Sequence, residues 1–138
     1  MLTKKAKYAL NALVFLAKRE VKHAGVPITS AQIAKENNMP SKFLEGILSD
    51  LKKASILRSI HGKGGGYLLQ KKPNEIQMVD IIRMFDGAVG LIPCATYTYF
   101  QPCEECEDVE NCKIRWTFKE LRDQTVEFMK DKTVADLI

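Results

Sequence analysis

All four cysteines of the chain lie between Cys94 and Cys112. The stretch reads Cys94-Ala-Thr-Tyr-Thr-Tyr-Phe-Gln-Pro-Cys103-Glu-Glu-Cys106-Glu-Asp-Val-Glu-Asn-Cys112. Clustered thiols can hold a soft metal ion, hold an iron–sulfur cluster, or exchange electrons as dithiol and disulfide. Four thiolates satisfy tetrahedral zinc as well as a cluster by ligand count. The two histidines, His23 and His61, lie in the first half and offer no nearby nitrogen ligand. The acids Glu104, Glu105, Glu107, Asp108 and Glu110 oppose thiolate formation, so the loop lacks the marks of a cysteine nucleophile. No Ser-His-Asp order, catalytic carboxylate pair or nucleotide motif is present, and the chain is not expected to be an enzyme.

The environment of such a loop sets its chemistry. No apolar run approaches the roughly 20 residues of a membrane span. The basic start, Met1-Leu2-Thr3-Lys4-Lys5-Ala6-Lys7, leads into no secretory apolar core. A cytoplasmic protein with no membrane partner is expected. In that compartment clustered cysteines more often hold metal or do redox chemistry than form structural disulfides.

The charge is unevenly placed along the 138 residues. Residues 1–75 hold 14 Lys and Arg against 5 Asp and Glu, a balance of +9. Residues 76–138 hold 7 against 12, a balance of −5. An uneven solvated surface would look the same, but a basic half also suits a polyanion such as nucleic acid.

The elements before the loop sharpen that reading. Ala6, Ala9, Leu10, Leu13, Val14 and Ala17 recur at helical steps, predicting a helix over Lys4–Lys18. His23-Ala24-Gly25-Val26-Pro27 ends it. Thr29 with Gln32 forms a capping box for a short helix to about Glu36. Asn37-Asn38-Met39 is a turn. Pro40 and Ser41 open a second helix, with Ser41 expected to cap it. Leu44, Ile47, Leu48 and Leu51 form its apolar stripe. Two short helices joined tightly make a helix-turn-helix.

Ser41, Lys42, Glu45, Ser49 and Lys52 fall on the opposite face. Lys42 can donate to guanine and Glu45 can accept from cytosine in a major groove. Gly46 lets backbone approach closely. Ile56–Ile60 and Tyr67–Leu69 read as strands around the turn His61-Gly62-Lys63-Gly64-Gly65-Gly66. This hairpin is a wing with Arg58, His61 and Lys63 at its tip and Tyr67 on the return, and these four are expected to contact the DNA backbone or minor groove. The glycines match no phosphate-loop pattern, because no Gly-Lys-Ser/Thr closes the run.

After the hairpin, Gln77–Phe85 is a short helix with Gly87 placed to end it. Beyond the cysteine loop a long helix runs from Cys112 to about Lys130. Its residues Ile114, Phe118, Leu121, Thr125 and Phe128 form a heptad-like seam. Packing within one chain would use that seam, and so would a second copy. The dimer is favoured because helix-turn-helix proteins commonly read paired half-sites. Thr133 caps a short terminal helix. The fold class is therefore mainly α with a small β-hairpin: a winged helix-turn-helix domain over 1–75, then a cysteine-loop sensor region and dimerisation helix over 76–138.

Four stretches carry a family resemblance. They are Lys7-Tyr8-Ala9-Leu10, Ser41-Lys42-Phe43-Leu44-Glu45, Gly62-Lys63-Gly64-Gly65-Gly66-Tyr67-Leu68-Leu69 and Cys106-x5-Cys112. On them the chain resembles the Rrf family of bacterial transcription factors, the IscR, NsrR and CymR regulators. The resemblance implies a homodimer that binds double-stranded DNA at an imperfect palindrome. In iron–sulfur members three loop cysteines hold a cluster, 2Fe-2S or 4Fe-4S, whose state sets DNA affinity. The matching positions are Cys94, Cys106 and Cys112. The gap from Cys94 to Cys106 is longer than usual and contains Cys103. The IscR-like histidine ligand falls near Arg115, and the acidic ligand of NsrR-like members near Lys7. Neither residue can ligate, so Cys103 becomes the fourth candidate, or else a spare surface thiol.

Three functions follow as alternatives. One is a cluster-dependent regulator responding to redox, nitric oxide or iron status. The second is a CymR-like regulator that is cofactor-free or holds zinc. The third is a small iron–sulfur electron carrier, against which the basic first half and the wing both argue.

Overall fold

The computed structural model describes residues 2–138. Helix α1 spans Lys4–Lys22, one turn beyond the expected end. Arg19, Glu20 and Lys22 are good helix formers, so the helix continues until the backbone must turn at Gly25, where φ is +71°. Thr3 caps the start, its hydroxyl accepting the Ala6 N–H at 3.2 Å. Ala6, Ala9, Ala12 and Ala17 are buried beside Leu10, Leu13 and Leu16. The small residues leave room for later elements to pack on this helix.

Helix α2 is Ser30–Glu36, and its capping box forms as expected between Thr29 and Gln32. Asn38 makes the turn in the left-handed region at φ +52°, which asparagine tolerates. Helix α3 is Ser41–Lys53. Its cap position is Pro40, which offers no side-chain hydrogen bond. The expected capping role of Ser41 is thus corrected: Ser41 is already helical, and its hydroxyl stands exposed. Leu44, Ile47, Leu48 and Leu51 are completely buried.

Strands β1 (Leu57–Ile60) and β2 (Gly66–Leu69) pair antiparallel, with Leu57 opposite Leu69 and Ile60 opposite Gly66. Ile28 adds a bridge that the sequence reading did not contain. Its N–H and carbonyl pair with the Tyr67 carbonyl and N–H at 3.2 and 2.8 Å. This pairing explains two of the glycines. A Cβ on Gly66 would overlap the Ile28 carbonyl and stand 2.8 Å from the Thr29 nitrogen. A Cβ on Gly65 would overlap the Ile60 carbonyl.

Helix α4 is Met78–Asp86, ended by Gly87 at φ +79°. A single 3-10 turn, Pro93–Ala95, opens the cysteine loop. Helix α5 is Lys113–Lys130. The chain then doubles back. Met78 donates its N–H to the Lys132 carbonyl, and Val134 donates to the Ile76 carbonyl, each at 2.9 Å. The final 3-10 turn, Val134–Leu137, buries Val134 in the same cluster as Leu13, Ile76 and Ile81. One core therefore crosses residue 75. The whole is mainly helical with one hairpin, a winged helix-turn-helix with a long C-terminal helix. Among the described residues no helix is long and apolar enough to cross a membrane.

Candidate nucleic-acid interface and cysteine loop

Helix α3 presents Ser41, Lys42 and Glu45 to solvent because its apolar stripe is fully engaged behind them. Space is open where a Gly46 side chain would stand. Phe43 also lies on the outer side, 41 % exposed, with its ring edge-on to Tyr8 at 5.7 Å. On the hairpin, Arg58, His61 and Lys63 are exposed. Arg58 and His61 share a shallow depression of about 380 Å³ with Lys52 at the end of α3. Three basic or titratable side chains thus meet beside the wing. Arg58 belongs to β1 and sits away from the tip, where Lys63 stands. Tyr67 differs from its companions: it is half-buried against the core, and its backbone is committed to Ile28.

The cysteine loop is organised from both ends. Cys94 lies buried on the 3-10 turn. The Arg115 Nε donates to the Cys94 carbonyl at 3.0 Å, and the Arg122 Nη1 donates to the Ala95 carbonyl at 2.9 Å. Two arginines of α5 therefore grip the turn that carries the first thiol. At the other end Cys112 caps α5, its sulfur accepting the Arg115 N–H at 3.5 Å. The segment before it is held by Asp108, whose carboxylate accepts the Asn111 side-chain and backbone N–H groups at 2.6 and 3.1 Å. The Asn111 side chain, then its backbone N–H, hold the Asp108 pKa below the usual carboxylate range.

Between these ends, Cys103 and Cys106 form a turn closed by the Cys106 N–H to Cys103 carbonyl bond of 3.1 Å. Cys103 is exposed, whereas Cys94 is buried. Burial first, then the neighbouring Cys103, push the Cys94 thiol above its ordinary pKa. Cys112 acts in the same direction more weakly. All four thiols are free. The structure anchors Cys94 and Cys112 at the two ends of the loop, with Cys103 and Cys106 on the turn between them. Among the described residues no three His, Cys, Asp or Glu side chains stand gathered as a metal-binding group. The donor set itself, soft sulfur on both anchored ends of one loop, fits an iron–sulfur cluster or zinc once the loop draws in.

Arg122 was not singled out by the sequence reading. It is 5 % exposed, paired with Asp123, and its guanidinium lies 3.5 Å from the Tyr97 ring centre. Burial opposes its charge, but Asp123 and Tyr97 outweigh burial and raise its pKa. Arg115 is similarly cased, 5.5 Å from the Phe100 ring and 5.4 Å from the Trp116 ring. The available signal was spacing: Arg115, Arg122 and the buried Met129 recur every seven residues on one face of α5.

A family model for Rrf2, described as iron-dependent transcriptional regulators, matches residues 2–138. The chain belongs to the Rrf2 family. CymR of Bacillus subtilis is 34% identical over 133 residues, covering 96% of this chain and 86% of that protein. IscR of Pectobacterium atrosepticum is 29% identical over 137 residues, covering 99% and 78%. Among solved structures, CymR (YrzC), the global cysteine regulator of B. subtilis, superposes with a TM-score of 0.78 at 31% identity, covering 99% of this chain and 95% of that one. IscR of T. potens superposes at 0.74, covering 99% and 85%; its 22% identity speaks for the fold alone. This Rrf2 chain is therefore a transcriptional regulator of a DNA-binding family and not an enzyme, as its residues and their resemblance led one to expect.

Proposed function

We propose that this Rrf2 regulator binds an imperfect DNA palindrome as a cytoplasmic homodimer. Its operator affinity is set by an iron–sulfur cluster on Cys94, Cys106 and Cys112, with Cys103 as fourth ligand. Residues 1–75 read DNA and residues 76–138 sense and dimerise. Ser41, Lys42 and Glu45 meet base edges, while Arg58, His61 and Lys63 meet the backbone; Tyr67 supports the wing from behind. When bound, such a cluster, 2Fe-2S or 4Fe-4S, supplies chemistry sensitive to redox state, nitric oxide and iron supply.

One observation carries the reading: α5 holds the loop at both ends. Cys94 is tied to α5 through its carbonyl and Arg115, and Cys112 caps the same helix. Drawing the thiols together therefore moves the 3-10 turn against α5. The outward seam of α5, with the apolar groove of about 480 Å³ lined by Leu2, Ile82, Val89, Leu91 and Phe118 beside it, is the surface for a second copy. A shift there changes the separation of the two α3 helices. For DNA affinity to respond, the two loop states must differ in their affinity for operator.

The test is anaerobic reconstitution of the full chain with iron and sulfide, followed by visible absorption and operator binding. A coloured protein whose operator affinity changes on exposure to oxygen or nitric oxide is expected. Stoichiometric zinc without sulfide uptake would refute the cluster. Unchanged spectra in a Cys94/Cys106/Cys112 triple alanine variant would refute the ligands. The second reading is a CymR-like regulator that is cofactor-free or holds zinc; the ungathered thiols and the identity with CymR favour its cofactor-free form. It expects a colourless protein that binds its operator fully.

A further inference from the structure

A cleft of about 540 Å³ opens between the end of α4 and the second half of α5. That volume suits a small organic molecule. Asp123, Glu127 and Lys130 line it from α5. They lie on the side of the helix opposite the Ile114–Phe128 seam, so a dimer formed through the seam leaves the cleft open. Two tyrosines, Tyr97 and Tyr99, line it with largely exposed rings that are nonetheless held in place. The Arg122 guanidinium lies 3.5 Å from the Tyr97 ring centre. Tyr99 packs on the turn at Gly87, where a Cβ would stand 3.5 Å from the Tyr99 Cε2. Val89 and Val126 add apolar wall. The charges of the cleft are mostly spent within it. Arg122 pairs with Asp123, and Lys130 with Glu127 at 3.4 Å. Arg83, reaching in from α4, has no ion-pair partner among the described residues.

We infer that this cleft is an effector site for a small aromatic monocarboxylate. Two fixed phenol rings and two valines offer a flat, mostly apolar surface for a ring. One unmatched guanidinium offers a two-pronged partner for one carboxylate. A neutral ring would leave Arg83 unused, and a dianion would bring a charge with no partner. The ligand's place in the fold gives it a consequence. Arg122, which lines the cleft, also donates to the Ala95 carbonyl beside Cys94. A molecule held between Arg83 and the tyrosines therefore ties α4 to the root of the cysteine loop and to α5. This is an input to the regulator that needs no metal. Any effect on operator affinity rests on the proposed coupling between loop and α5; the binding itself does not.

The experiment titrates benzoate and phenylacetate, each against its neutral amide, into the full chain by calorimetry after metal is removed with a chelator. The expected result is saturable binding of one acid molecule per chain, about tenfold tighter than the matching amide. Arg83→Gln should bring acid and amide within roughly twofold of each other, since the charge-assisted bonds are gone. Val126→Trp fills the cleft and should abolish binding of both, with the helical circular dichroism unchanged. Lys63→Ala, on the wing, should bind as wild type does. No saturable binding of either acid at millimolar concentration overturns the inference. So does equal affinity for acid and amide, and so does binding that survives both Arg83→Gln and Val126→Trp. The titration needs neither metal nor DNA, so its failure leaves the cluster reading untouched and the failure of that reading leaves this one untouched.

Discussion

A lysine on a wing tip and a glutamate on a helix face lose different things when truncated. Lys63 is exposed beyond the paired strands, and on the proposed interface its flexible ammonium would meet phosphate, a contact that carries no sequence information. Lys63→Ala should weaken binding to all duplexes alike and lower the salt dependence by about one counterion, read from titrations at several ionic strengths. Glu45 stands exposed on α3 with its carboxylate free to accept from a base. Glu45→Ala should relax preference at one base pair by about 1–3 kcal/mol and leave non-specific binding intact or slightly tighter. Equal affinity of wild type and a Lys42/Lys63 double alanine variant for a genuine operator would remove the interface from this face. Most of these exposed positions were legible in the sequence because a buried stripe leaves its complement outside. Tyr67 was less so: its aromatic ring suits a wing and a core equally, and its half-buried place beside the Ile28 bridge comes from a pairing distant in sequence.

The wing is the element most narrowly specified by backbone sterics. Gly65 and Gly66 lie where any Cβ would meet a carbonyl, and Gly66 also holds φ at +148°, which L side chains rarely adopt. Gly66→Ala should cost about 2 kcal/mol, combining strain with the lost Ile28 bridge. Thermal unfolding should fall by several degrees and operator binding should weaken through the wing. Gly64→Ala, at φ +75° but in open space, should cost less. An unchanged melting temperature for Gly66→Ala would show that the hairpin pairs differently. Helix and strand order were readable from periodicity and turn residues, and so was the capping box. Three features were not. Ser41 looked like a cap, but the chain entered α3 one residue earlier, at Pro40. Helix α1 outran its apolar stripe because propensity alone sustains its last turn. The Ile28 bridge joins residues far apart in sequence, a pairing that local pattern cannot show.

At the scale of the whole molecule, α5 is inverted for a single chain. Its apolar seam faces outward: Ile114 is 65% exposed, Leu121 45% and Phe128 66%. Its inward face carries Arg122, 5% exposed, and Met129, 9%. A lone helix on a small domain normally buries its apolar stripe and solvates its arginines. Here the arginines are held inward by the carbonyls of Cys94 and Ala95, so packing within the chain cannot account for the seam. Two copies pressed seam to seam would cover it and carry both wings to one side of the assembly. Each dimer then meets two half-sites, and a palindrome follows from the two-fold axis. Leu121→Asp places a charge at the middle of this seam while leaving Arg115 and Arg122 in place. Sedimentation should show monomers at micromolar concentration where wild type is dimeric. Operator affinity should drop on the order of a hundredfold, because each half-site is then bound alone. Affinity for an isolated half-site should be preserved, which separates lost dimerisation from lost folding. A wild-type chain that sediments as a monomer yet binds operator at full affinity would overturn the two-fold reading. The alternative would be that α5 offers its seam to a different protein.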